Sequence, residues 1–153
     1  MLGESGVEGE FARIVKEAAD FHGHLGPFLV IGVRMSLIAL RELRLGKDAN
    51  GLCVTATLKN CTPFSCVLDG IQVATGCTMG NRKLRLTEDS SLIAARFALQ
   101  EGSKEVSVLV DPTTFQELKD RLLAEGLPPE DVRKLAHSIE SMPEEKLFIV
   151  RCT

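Results

Sequence analysis

Two short stretches concentrate the residues of this sequence that could bind a metal ion or do thiol chemistry. Segment 21–27, FHGHLGP, holds two of the three histidines, His22 and His24. Segment 61–81, CTPFSCVLDGIQVATGCTMGN, holds three of the five cysteines. Two imidazoles with one or two thiolates form a donor set that suits Zn²⁺, and a site with an open coordination position would be catalytic in type.

The residue types therefore predict a metal site. Its predicted ligands are His22, His24, Cys66 and Cys77, with Cys61 as an alternative. Cys66 and Cys77 would lie roughly 16 Å apart along a continuous helix, so both reach one ion only if the chain folds back after Gly76. A purely structural interpretation is equally favoured by these spacings, because cysteine is often a small buried residue and a histidine pair can simply cap a helix.

A long apolar helix is predicted to follow the turn that holds the two histidines. Residues 28–43, FLVIGVRMSLIALREL, are apolar almost all round, which predicts a buried central helix over about 27–45. Pro27 suits its first turn and Gly46 its C-terminal cap. Gly32 in its interior lowers helix propensity, which predicts that another backbone packs closely there.

A second helix, predicted over 63–75, must carry Cys66. Thr62 is its predicted N-cap and Pro63 its first residue, and Gly76 is expected to end it. Helical spacing places Cys66 and Asp69 on one face. In the first turn, the helix dipole is expected to lower the thiol pKa of Cys66.

The remaining pattern predicts one α+β domain over residues 1–153, with a mainly antiparallel sheet packed by helices around the central helix. Residues 1–6 are expected to form a flexible tail. An acidic partner is expected for Arg34, and Asp69 is one possibility. Further predicted helices are 7–20, 111–125 and 130–141, and predicted strands are 52–58, 83–87, 92–99, 106–110 and 147–151.

Composition limits the partners. The chain has 18 Lys and Arg against 21 Asp and Glu, a net charge of −3, no obvious basic stripe and neither Trp nor Tyr, so nucleic acid is not expected. No apolar run approaches the ~18 residues that span a bilayer, and no signal peptide is apparent, so no membrane contact and a cytoplasmic location are expected. An odd number of cysteines predicts thiols or ligands rather than a disulfide framework.

Two longer motifs carry a family resemblance. FHGHLGPFLVIGVRM (21–35) followed by CVLDGIQVATGCTMGN (66–81) resembles the FmdE family, which takes its name from formylmethanofuran dehydrogenase. The resemblance implies an α+β domain, a homodimer, and a metal, usually zinc, near the motif residues. The motif positions that carry over are His22, His24, Cys66, Asp69, Gln72, Thr75, Cys77 and Thr78.

The sequence departs from the family pattern at two places. Gly26 stands where many members have a cysteine, so a thiol is absent between the second histidine and Pro27. The chain ends at Thr153 without the paired-cysteine zinc ribbon of longer members, which suggests the short form of the family.

Three functions are compatible with these motifs. The leading hypothesis is a zinc-binding accessory protein of C1 metabolism, such as methanogenesis, with molybdenum or tungsten enzyme subunits as partners. The second is a zinc- or thiol-dependent enzyme in which Cys66 is the nucleophile or redox thiol and Asp69 the acid, base or orienting group. The third is a non-catalytic module for an anion, molybdopterin or another pterin-like ligand at Thr75, Gly76, Thr78 and Gly80.

Overall fold

The computed structural model describes residues 4–100, 102, 104–124 and 127–153, with side chains from residue 9 onward. The described residues form helices and strands in the order α1 (Glu4–His22), α2 (Pro27–Leu43), β1 (Leu52–Leu58), α3 (Cys66–Thr75), β2 (Leu84–Glu88), β3 (Ala94–Leu99), β4 (Glu105–Val110), α4 (Pro112–Leu122), α5 (Pro129–Ser141), α6 (Glu144–Leu147) and β5 (Phe148–Cys152).

The strands form one mixed sheet in the order β2-β1-β3-β4-β5. β1 and β2 are parallel because α3 carries the chain back between them, and the other three pairs are antiparallel. Alternate residues of β1 and β4 are fully buried while those between them are part-exposed, so the helices cover one face of the sheet. The predicted α+β class with a mainly antiparallel sheet is confirmed.

The central helix is α2, as predicted. Every residue from Pro27 to Val33 is buried, which its all-round apolar pattern requires. The predicted cap at Gly46 is wrong, because Arg44 takes the left-handed conformation (φ 58°) and the amides of Arg44 and Leu45 bond back to the last turn. Over the described ranges, no helix combines the length and apolar character needed to cross a membrane.

The start of α3 differs from the prediction. The helix begins at Cys66 with Ser65 as its N-cap residue, so the predicted start at Thr62 and Pro63 is wrong. The amides of residues 66–68 donate to carbonyls three residues earlier. Residues 63–68 therefore form tight turns that lead into the α-helix. Gly76 ends the helix as predicted, with φ 78° and its amide on Gln72 O.

The outer helices and strands lie close to their predicted positions. Residues 4–6, expected in a tail, belong to α1, and residues 1–3 lie outside the described residues. Asp111 is the N-cap residue of α4, and its carboxylate accepts from the amides of Thr113 and Thr114 at 3.0 and 3.1 Å. α4 ends at Leu122, so its predicted extension to about residue 125 is wrong, and residues 125–126 lie outside the described residues.

The expected acidic partner of Arg34 is not Asp69. The Arg34 guanidinium donates to the carbonyl oxygens of Ile139, at 2.8 Å, and of Met142, and it lies 5.7 Å from the centre of the Phe148 ring. Carbonyls at the carboxyl end of α5 are free to accept because a helix leaves its last carbonyls unpaired. Arg34 therefore anchors α5 to α2 and leaves Asp69 available for the histidines.

Candidate functional site

Two glycines set the close crossing of α2 and α3. A Cβ at Gly32 would overlap Val67 O and lie 3.0 Å from Val67 C, and a Cβ at Gly70 would overlap Leu29 O and lie 2.8 Å from Val33 N. The predicted close packing at Gly32 is thus confirmed, and Gly70 supplies the partner backbone. α3 also packs against α1, whose last residue is His22.

The crossing brings Asp69 to the first histidine of the motif. His22 Nδ1 lies 2.6 Å from Asp69 Oδ2, across 47 residues of sequence. The His22 side chain is 13% exposed and that of Asp69 is 30% exposed. A short contact in such a sheltered place fixes the orientation of the imidazole ring.

A chain of hydrogen bonds fixes which nitrogen of His22 carries the proton. The Met79 amide can only donate, and it donates to Gln72 Oε1 at 3.1 Å. The Gln72 amide nitrogen must then face Asp69, where it donates to Oδ1 at 3.0 Å. The Asp69 carboxylate accepts from both sides, so neutral His22 carries its hydrogen on Nδ1 and a lone pair on Nε2.

That lone pair has no partner within the described part of the chain. His22 Nε2 is completely shielded from solvent and makes no hydrogen bond. The His24 ring lies 4.6 Å from the His22 ring, centre to centre, on the exposed side of the turn. Desolvation, and secondarily the nearby His22, lowers the pKa of His24. The motif therefore presents a buried basic nitrogen beside a second imidazole whose charged form is disfavoured.

All five cysteines are free thiols, as predicted in place of a disulfide framework, and they are exposed, half-buried or buried. Cys66 is buried, and burial followed by the charge of Asp69 raises its pKa to about 11. The prediction that the helix dipole lowers this pKa is wrong, because desolvation outweighs the dipole here. Cys77 is also buried, and its Sγ faces Leu52 O at 3.4 Å, whereas Cys61 is exposed. Burial is the main cause that raises the Cys77 pKa.

The predicted ligands are only partly brought together. His22 and His24 are neighbours with Asp69 beside them, and Cys66 lies one turn before Asp69 on α3. Cys77 instead packs into the core against β1. Among the residues that the structure describes, no group of three or more His, Cys, Asp or Glu side chains could hold a metal ion.

In the turn after α3, which was predicted to bind an anion, the polar groups hydrogen-bond to one another. The Thr78 amide donates to Asn81 Oδ1 at 2.9 Å, the Asn81 amide donates to Thr78 Oγ1 at 3.0 Å, and Asn81 Nδ2 donates to Gly76 O at 2.8 Å. Thr75 Oγ1 accepts from the Cys77 amide at 3.0 Å. The sequence predicted no more than a turn at Asn81, although asparagine after glycine is a known signal for such bonding.

Thiol reactivity should follow these environments. At neutral pH, iodoacetamide should modify exposed Cys61 and Cys152 and leave Cys66 unmodified in the folded protein, because a buried thiol with a raised pKa supplies almost no thiolate. Peptide mass spectrometry over a time course measures each site, and the urea-unfolded chain gives the reference rate. Alkylation of Cys66 as fast as that of Cys61 would contradict the assigned environment.

The fold and the site define a class: a domain with helices on one face of a mixed sheet and a carboxylate-held histidine at the junction of two helices. The family model described as "FmdE, Molybdenum formylmethanofuran dehydrogenase operon" matches residues 21–149. The chain belongs to the FmdE family, as its two motifs indicated.

One relative with a descriptive name was also found. A protein of Archaeoglobus fulgidus, named "Probable S-adenosyl-L-methionine-binding protein", is 41% identical over 81 residues. The matched segment is 53% of this chain and 22% of that relative. The match thus spans about a fifth of the length of that protein.

Proposed function

We propose that this FmdE-family chain is a metal-binding accessory protein related to formylmethanofuran dehydrogenase, with zinc bound at His22. The observation that carries the proposal is the shielded, unpartnered Nε2 of His22 whose other ring nitrogen meets a carboxylate. Histidines that bind metals almost always present one nitrogen to the ion while the other donates to a carboxylate or carbonyl.

The donor set fits zinc in part. His22 and His24 would hold the ion, and Cys66, which the structure does not group with the two histidines, would become a third ligand only if its side chain turned toward them and lost its proton to the charge of the metal. Cys77 is left out of this proposed set, since its sulfur faces Leu52 O. The remaining position would be taken by water or by a group from a second copy of the chain, in keeping with a homodimer. When bound, zinc would supply a Lewis acid.

Metal titration tests the proposal. Calorimetry with Zn²⁺ and absorption spectroscopy with Co²⁺ should show stoichiometric binding to the parent chain and none to His22→Ala. His137→Ala is the matched control, because His137 also faces a carboxylate, Glu140, at 2.9 Å but is exposed on α5. Cys77→Ala should bind like the parent. No stoichiometric metal, or full binding by His22→Ala, would refute the proposal.

A ligand-binding module is the second candidate, and the name of the Archaeoglobus fulgidus relative favours it. The filled hydrogen bonds of the turn at 76–81 argue against an anion cradle there, so a ligand would bind beside the histidine pair. S-adenosylmethionine and pterins are the compounds to screen by thermal shift. Stabilisation that His24→Ala removes would support this candidate, and no shift across the panel would refute it.

A thiol-dependent enzyme is the weaker alternative. A nucleophilic or redox-active cysteine needs a thiolate near neutral pH, and burial raises the Cys66 pKa to about 11. Asp69 is engaged by His22 and Gln72 at the same time, which suits a group that orients the imidazole better than one that exchanges protons.

A further inference from the structure

The face of the sheet opposite the helices carries a row of arginines that lie far apart in the sequence. Strand register pairs Thr55 with Arg85 on one side and with Arg96 on the other. Arg96 pairs in turn with Ser107, and Ser107 with Arg151. One line across all five strands therefore alternates an arginine with a small hydroxyl residue.

The alternation of burial places this row on the outer face. Arg85, Arg96 and Arg151 are exposed, whereas the strand neighbours of Arg85 and Arg96, and Val150 beside Arg151, are buried or only part-exposed. Arginines on alternate strands lie about 9–10 Å apart, so they cannot converge on one small anion. Arg96 pairs with Glu105 at 3.4 Å, and among the described residues Arg85 and Arg151 have no ion pair.

An apolar row lies beside the arginines on the same face. Register aligns Thr57, Ala94, Leu109 and Ile149 across four strands. Ile149 is 39% exposed and Leu109 is part-exposed, so this row is open to solvent. Arginine beside exposed aliphatic side chains is a composition typical of protein interfaces, which are enriched in arginine.

We propose that this outer face binds a protein partner with an acidic surface, whose carboxylates meet Arg85, Arg96 and Arg151 and whose apolar side chains cover Leu109 and Ile149. Charge complementarity supports this occupant, because the face is positive on a chain of net charge −3. Within the described part of the chain this face has no aromatic side chain on which bases could stack, which disfavours nucleic acid. A second copy would bring an identical positive row against the first.

Charge reversal on the full chain tests the proposal. The probe is a fluorescent peptide of glutamate and leucine residues, measured by anisotropy at several salt concentrations. The double variant Arg85→Glu/Arg151→Glu should bind at least about tenfold more weakly and with a smaller salt dependence. Arg121→Glu/Arg133→Glu, an equal charge change on the exposed surfaces of α4 and α5, should bind like the parent. Circular dichroism and melting curves verify folding.

Three outcomes would overturn the proposal. The first is equal loss of binding in both double variants, or no loss in either. The second is tighter binding of single-stranded DNA of matched charge, which would assign the face to nucleic acid. The third is self-association in sedimentation velocity that the Arg85→Glu/Arg151→Glu change abolishes, which would assign it to a second copy. None of these depends on metal binding at His22.

Discussion

Gly70→Ala is expected to destabilise the protein by about 3 kcal/mol, the upper part of the range for overpacked cores. The added Cβ would overlap Leu29 O and lie 2.8 Å from Val33 N, and both atoms belong to the backbone of α2. A side chain could rotate away from such a clash, whereas a helix backbone can only shift as a whole. Urea unfolding measures the change in the free energy of unfolding.

Gly9→Ala is the matched control, since Gly9 is an exposed glycine inside α1 with nothing within 4 Å of an added Cβ. There the same substitution should stabilise by about 0.5–1 kcal/mol, because alanine loses less backbone entropy than glycine in a helix. If Gly70→Ala unfolded at the urea concentration of the parent, the close crossing of α2 and α3 would be contradicted.

The sequence was most informative where one local pattern decides the structure. The all-round apolar run of α2 allowed one placement, inside the molecule, and the alternation in 52–58 predicted a strand with one buried face. Gly32 also signalled a close backbone approach. Its partner, Gly70, could not be named from the sequence, because the pairing depends on the angle at which two helices cross.

Site chemistry was harder to predict because it depends on contacts between distant segments. The position of Cys66 at the start of a helix suggested a lowered pKa, but the depth of its burial, which the sequence does not specify, decides the opposite direction. The arginine row is invisible along the chain for the same reason. Its members are 11 and 55 residues apart and are aligned only by strand register, so the sequence shows no basic stripe although the folded surface has a row of arginines.

The hydrogen bonds behind His22 are expected to control the strength of metal binding. Asp69→Asn should lower the Zn²⁺ affinity proposed for this site by roughly 10- to 100-fold, the range for loss of a carboxylate behind a metal-binding histidine. An asparagine amide keeps the shape but removes the charge that holds the Nδ1 hydrogen. Calorimetry on the parent and the variant measures the change, and unchanged affinity would show that Asp69 does not support the metal ligand.

Gln72→Glu tests the role of the hydrogen bond from Gln72 to Asp69 while leaving Asp69 itself unchanged. Glutamate still accepts from the Met79 amide but cannot donate to Asp69, and it brings a second negative charge against that carboxylate. Because the added negative charge favours a positively charged imidazole, nitrogen-15 NMR should show the His22 ring shifting from the neutral form with hydrogen on Nδ1 toward the form with hydrogen on both nitrogens. Gln116→Glu is the control, since Gln116 makes the same bond to Asp120 at 2.8 Å on exposed α4. An unchanged His22 spectrum in Gln72→Glu would mean that Gln72 does not act on the His22 ring through Asp69.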